Sequence, residues 1–224
     1  MNLTAKKIKL LVFIETIIIF LLSQVAVYCI SLFLLKIKLY EFSNNRFPLW
    51  RYNSFLTLPY LVSALISTAI VPLVWEKVIG KTGFKKIGLF IPMPLYMELI
   101  YGTVLLALFM ICSSVAFSRY VSVFRMPVTI ILLMFFSWLI VSFSEEILYR
   151  GIMQRRLSFL FGRITGLILA SALFAFAGHT HEPVLDNLIF RLPFGIILGY
   201  LYLRKQSLFI PICVHCVFNF LYAS

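Results

Sequence analysis

Charge is scarce in this chain. Only 12% of its 224 residues are Asp, Glu, Lys or Arg, while 62% are apolar, against about 25% charged in a soluble domain, so an ordinary water-soluble fold is excluded. Acid is scarcer still, with eight acidic residues of which Asp186 is the one aspartate, and a two-aspartate protease mechanism is therefore excluded. No Gly-x-Ser sequence offers a serine nucleophile. His181-Glu182 is followed by Pro183, with no second histidine at the spacing of a zinc-binding HExxH helix. Cys29, Cys112, Cys213 and Cys216 lie inside apolar runs, which does not support a secreted disulfide framework. Cys213-Val-His-Cys216 has the spacing of a zinc dithiolate, but no second CxxC accompanies it, and the thiols read as small packing groups.

What is abundant is apolar length. A transmembrane helix needs about 20 mainly apolar residues, and seven segments approach this, at approximately 9–35, 54–75, 95–118, 128–158, 163–181, 187–203 and 207–222. The first follows Lys6, Lys7 and Lys9, is too long for a signal-peptide core and reads as a retained span. The expected fold is an all-α, polytopic integral membrane bundle of about seven transmembrane helices in the cell membrane. Residues 1–126 form about three N-terminal spans and 127–224 a core of about four. A polar loop is expected at 36–53 and a second at 80–94, the latter with room for an interfacial turn of helix.

A net charge of +12 raises nucleic acid as a partner, but the cations fall in small clusters between apolar runs rather than on one basic face. No nucleic acid is expected; the bilayer is the partner. With the N-terminus inside, thirteen of the 20 Lys and Arg fall on the inner side, and the positive-inside rule favours a cytoplasmic N-terminus.

The charges that carry chemistry lie in the fourth segment, at Ser144-Glu145-Glu146-Ile147-Leu148-Tyr149-Arg150. A charge at the centre of a spanning helix costs about 2.5–3.5 kcal/mol on insertion scales, and such residues mark function by default. Glu146 and Arg150 are four apart and share a face. The plain alternative is that the helix simply ends here and emerges into water. Two further elements weigh against that alternative. His179 follows the small-residue stretch Gly166 to Gly178, and His215 and Asn219 lie four apart on one face of the last apolar segment. Segments four and five should form an antiparallel hairpin turning near Gly162. Glu145 and His179, each 17 residues from that glycine, then sit roughly 25 Å from the turn at a shared depth. His215 lies only about 12 Å past the turn near Arg204 to Ser207. It joins the others if that turn sits deeper or its helix tilts.

Together these residues resemble the three motifs of the CAAX protease and bacteriocin-processing (CPBP, or Abi) intramembrane proteases. The resemblance rests on Glu145-Glu146-x-x-x-Arg150, on His179, and on His215-x-x-x-Asn219 preceded by Ser207-Leu-Phe-Ile-Pro211. It covers about 127–224. The family's second motif has Phe four residues before its histidine; here that position is Ala175, flanked by Phe174 and Phe176. His181 is a rival for the histidine, read more easily as the start of a loop before Pro183.

The resemblance implies hydrolysis of a peptide or membrane-protein substrate at the membrane, in bacteriocin or signalling-peptide processing or in self-immunity. Glu145 and His179 would deprotonate a water, His215 and Asn219 would donate to the oxyanion, and Glu146 and Arg150 would support the site. No cofactor is favoured. The family has also been described as metalloprotease, in which case Zn²⁺ would take Glu145, His179 and His215 as ligands. Two other classes compete: a non-catalytic membrane scaffold or immunity protein that retains the motifs, and a small transporter using buried Glu and His as a proton relay. Intact EExxxR and HxxxN patterns disfavour the first, and the lack of an internal repeat the second.

Overall fold

The computed structural model describes residues 3–36, 58–113, 126–180 and 182–222. Every regular element among them is helical. In chain order they are α1 (Leu3–Lys36), α2 (Leu58–Val78), the single turn α3 (Phe84–Ile87), α4 (Leu95–Ser113), α5 (Val128–Phe161), α6 (Arg163–Ala177), α7 (Val184–Lys205) and α8 (Phe209–Tyr222). The turn of helix for which 80–94 had room is α3. Residues 37–53 of the loop expected at 36–53, the rival His181 and the stretch 114–118 lie outside the described residues.

The count of seven spans is not supported by length. Five described helices are long and apolar enough to cross a bilayer: α2, α4, α5, α7 and the stretch Thr4–Leu34 of α1. The fifth and seventh expected spans are present as helices, but Arg163–Ala177 and Phe209–Leu221 are short. The reason lies at their ends. Gly178 and Pro183 stop α6 before the apolar pattern would, and the turn at Ser207-Leu208 is bound into the protein and delays the start of α8.

α5 is the axis of the bundle. Its first 16 residues, Val128 to Phe143, are mainly apolar on every side, as in a helix surrounded by lipid and protein, and it runs without interruption past Glu145 and Glu146 to Phe161. The reading in which the helix ends at the acidic pair is thereby overturned. After Gly162, α6 returns along α5 so closely that a Cβ on Gly166 would come 2.4 Å from the Ser158 nitrogen. Small residues allow such close approach of membrane helices.

α3 sits over the turn between α7 and α8. Gly88 accepts a hydrogen bond from the Leu208 amide (2.8 Å), Ser207 Oγ donates to the Phe90 carbonyl (2.6 Å), and Tyr202 donates to the Ile87 carbonyl (3.3 Å). Ile87 and Leu208 are fully buried. The turn leading into His215 is thus enclosed in the protein instead of ending in water, which answers how so short a helix brings its histidine to the others. Near the same end, Lys9 Nζ donates to the Leu160 carbonyl, and Arg156 pairs with Glu15 (2.9 Å) and Glu76 (2.7 Å). Arg155, Arg163 and Arg204 line one cleft beside it, so cations from α1, α5, α6 and α7 gather at one end of the bundle.

Gly88 has φ = +102°, and a Cβ there would lie 2.8 Å from the Gln206 carbonyl. Left-handed backbone alone costs a non-glycine residue about 1–2 kcal/mol, so Gly88→Ala should unfold in detergent at a clearly lower temperature than the wild type. An unchanged transition would mean that α3 does not hold the α7–α8 turn.

Candidate active site

The site forms around three ionisable groups that are almost entirely closed to water. Glu146 and Arg150 on α5 are completely buried, with Arg150 Nε 3.3 Å from Glu146 Oε2. His215 on α8, only 2% exposed, places Nδ1 2.8 Å from Glu146 Oε1. Its other ring nitrogen, Nε2, lies 3.7 Å from Glu145 Oε2. One imidazole therefore stands between two adjacent carboxylates, and one guanidinium balances the deeper of them. Arg150 is held further by a hydrogen bond to the Gly195 carbonyl (3.1 Å) and by the Phe174 ring, 4.6 Å from its Cζ. A cation desolvated against an aromatic face gains about 2 kcal/mol.

Glu145 is the more exposed of the two glutamates, at 16%. It opens onto a cavity of about 90 Å³, room for a few waters. His179 and Asn219 line the same cavity, and so do Tyr60 from α2, Trp138 from α5 and Glu182. All four candidate catalytic residues thus meet: three around the cavity, and His215 directly behind Glu145. Glu146 and Arg150 lie one layer deeper.

His179 is oriented by its own helix. Its Nδ1 is 2.9 Å from the Phe174 carbonyl. A carbonyl can only accept, so Nδ1 carries a proton, and in the neutral ring Nε2 is then the accepting nitrogen. The His179 carbonyl in turn accepts from Asn187 Nδ2 (3.0 Å), and Arg191 joins Asn187 (3.3 Å) to Glu182 (2.9 Å). This chain of contacts ties the loop after α6 to the start of α7.

Residues 127–221 match the family model described as type II CAAX prenyl endopeptidase Rce1-like. They are a CPBP-family domain. No curated protein and no solved structure matches the chain.

Within the CPBP domain, the departure in the second motif has a structural resolution. The last turn of α6, Leu173–Ala177, is π-helical, and the Gly178 amide bonds to the Leu173 carbonyl five residues back (3.1 Å). A π turn accommodates one extra residue and brings positions five apart onto one face. Phe174, five before His179, therefore packs its ring edge-on to His179 (5.0 Å between centroids). The same ring contacts His215 (5.6 Å) and Tyr149 (5.4 Å). Ala175, at the position where the family has Phe, is buried. A further π-helical stretch, Ile147–Gln154, follows Glu146 on α5, so the helices of the first and second motifs both carry this widened turn beside the site.

Among the described residues no group of three or more His, Cys, Asp or Glu is placed to hold a metal ion. Cys213 and Cys216 are free thiols; Cys216 packs in an apolar cluster with Met134, Trp138 and Val141. Phe194, whose ring lies 5.5 Å from that of His215, and Gly195, Tyr60 and Trp138 carried no signal in the sequence. Their residue types are ordinary in apolar helices, and only the packing assigns them to the site.

Replacing Phe174 by Ala should destabilise the protein by about 3–5 kcal/mol, as for a buried aromatic. Deleting Ala175, which converts the π turn to an α turn and restores a four-residue spacing, should leave the unfolding temperature close to that of the wild type. A deletion as damaging as Phe174→Ala would show that the π turn does not set the register of His179. Arg150→Met leaves Glu146 buried with one partner fewer and should cost about 3–5 kcal/mol, measured by thermal unfolding in detergent; a loss under 1 kcal/mol would argue against the ion pair.

Proposed function

We propose that the chain is an intramembrane endopeptidase that hydrolyses a peptide bond in a peptide or membrane-protein substrate, using water activated by Glu145. The observation that supports this reading most is the shared cavity: Glu145, His179 and Asn219 line one small space, with His215 held behind Glu145 by Glu146. A water there would meet an acceptor oxygen on Glu145 and the accepting Nε2 of His179. Glu145 takes its proton as the hydroxide oxygen attacks the substrate carbonyl, with His179 aligning the water. The oxyanion then accepts hydrogen bonds from the Asn219 amide and from His215 Nε2, and the proton on Glu145 passes to the leaving amine. Glu146 keeps His215 in place, and Arg150 balances the Glu146 carboxylate. This scheme routes no step through a metal; the zinc alternative would take Glu145, His179 and His215 as ligands.

The substrates we favour are bacteriocin leaders and signalling peptides, with self-immunity as the related role; the family model's description adds prenylated C-terminal peptides as a chemical class to test. We also propose that the cation-rich end of the bundle faces the cytoplasm, on the charge bias. Reporters fused near Gly162 and near Glu182 should then report cytoplasm and the opposite side respectively. The same side for both would remove the α5–α6 hairpin from the membrane.

The decisive comparison is membrane-peptide proteomics in cells carrying the wild type and Glu145→Gln. Peptides cleaved by the wild type should accumulate uncut in the variant, with a rate loss of about 10²–10⁴-fold, as for a general base. His179→Ala should fall in the same range, and Asn219→Ala should lose about 10²–10³-fold in kcat with near-normal substrate binding, as for an oxyanion donor. A Glu145→Gln protein that is present at normal level and fully functional would make this a non-catalytic scaffold or immunity protein. Stoichiometric zinc in purified protein, lost on Glu145→Gln and required for activity, would replace the glutamate scheme by a metal one.

A further inference from the structure

A second charged cleft lies at the opposite end of α5 from its apolar first turns, between α5, α6 and α7. It encloses about 450 Å³ and is lined by Arg155, Ser158, Arg163, Tyr202, Arg204 and Gln206. Three guanidinium groups from three elements thus face one space. Arg155 is paired with Glu76 (2.7 Å), which it shares with Arg156, and Arg204 is paired with Glu98 (3.2 Å), which it shares with Lys205. Arg163 faces no carboxylate among the described residues; its Nη2 donates only to the Leu203 carbonyl (3.2 Å). Arg155, Arg156, Arg163, Arg204 and Lys205 therefore outnumber Glu15, Glu76 and Glu98 around the cleft, and positive charge remains over. Ser158 Oγ is buried there without a hydrogen-bond partner among the described residues. The helix that begins at Arg163 has no side-chain cap, which leaves its first amides directed toward the same end.

We propose that this cleft binds the phosphate of an anionic membrane lipid. Guanidinium forks match phosphate oxygens in geometry and charge, and basic pockets between the ends of spanning helices are where anionic headgroups bind. The surroundings favour a lipid over soluble phosphate. Phe161 on one side of Arg163 and Ile164 on the other are exposed, and Ile168 continues the exposed stripe four residues on from Ile164. A headgroup in the cleft would direct its acyl chains along that stripe. None of these residues belongs to the peptidase site, so the proposal stands or falls independently of it.

The test uses the full chain in nanodiscs of equal parts phosphatidylcholine and phosphatidylglycerol, followed by native mass spectrometry of the retained lipid. Wild-type protein should retain phosphatidylglycerol preferentially. Arg163→Gln should reduce that preference about fivefold, the value of one cation against an anionic headgroup. Gln206→Glu, which adds a negative charge to the cleft and removes no cation, should act in the same direction, while Lys85→Gln, on α3 and outside the cleft, should leave the preference unchanged. Equal retention of the two lipids by the wild type, or an unchanged preference in both cleft variants, would overturn the proposal. Binding of inorganic phosphate that depends on Arg163, with no lipid preference, would identify a soluble anion as the ligand and overturn the lipid assignment.

Discussion

Removing a carboxylate and a guanidinium from water costs several kcal/mol for each ion, and only close pairing recovers it. The Glu146–Arg150 pair, completely closed to solvent, imposes that requirement on everything around it. Glu146 needs a second partner and finds His215 from another helix; Arg150 needs one and finds the Gly195 carbonyl and the Phe174 face. Three helices besides α5 are therefore held in register by one ion pair. Glu145, one residue earlier and turned toward the cavity, inherits a fixed position without being buried to the same degree.

The geometry divides labour between neighbours of the same chemical type. Of two adjacent glutamates, one is committed to internal charge balance and the other faces the cavity. Of two described histidines, one bridges carboxylates and the other is set by a main-chain carbonyl. Adjacent residues on an α-helix point about 100° apart, and this is why a Glu-Glu sequence can serve a buried ion pair and an open space at once.

Much of this was legible in the sequence because charge inside an apolar run is a strong signal. Glu145, Glu146 and Arg150 stood out for that reason, His179, His215 and Asn219 stood out as polar groups in apolar segments, and the matched distances of Glu145 and His179 from Gly162 anticipated a shared depth. The number of spans was less legible. Hydropathy registers apolar length, but the ends of α6 and α8 are set by Gly178 and by hydrogen bonds from the 84–90 segment, which hydropathy does not register. The position of His215 depended on that same long-range contact. The role of Phe174 was hidden for another reason: a motif read at α-helical spacing looks four residues back, and the π turn moves the relevant position to five. Tyr60 and Trp138 carried no signal at all, because an aromatic residue in an apolar helix is unremarkable until something is packed against it.

The 84–90 segment lies outside the residues that match the family, yet it encloses the turn that delivers His215. Glu15 and Glu76, likewise outside, hold Arg156 within. The boundary of recognisable ancestry and the boundary of mechanical integrity therefore fall in different places along the chain. An exchange of N-terminal halves between related proteins would have to carry matching versions of Ile87, Gly88, Phe90, Glu15 and Glu76 with it. Drift in the front half of the chain is consequently constrained at a few scattered positions by a site to which they contribute no side chain.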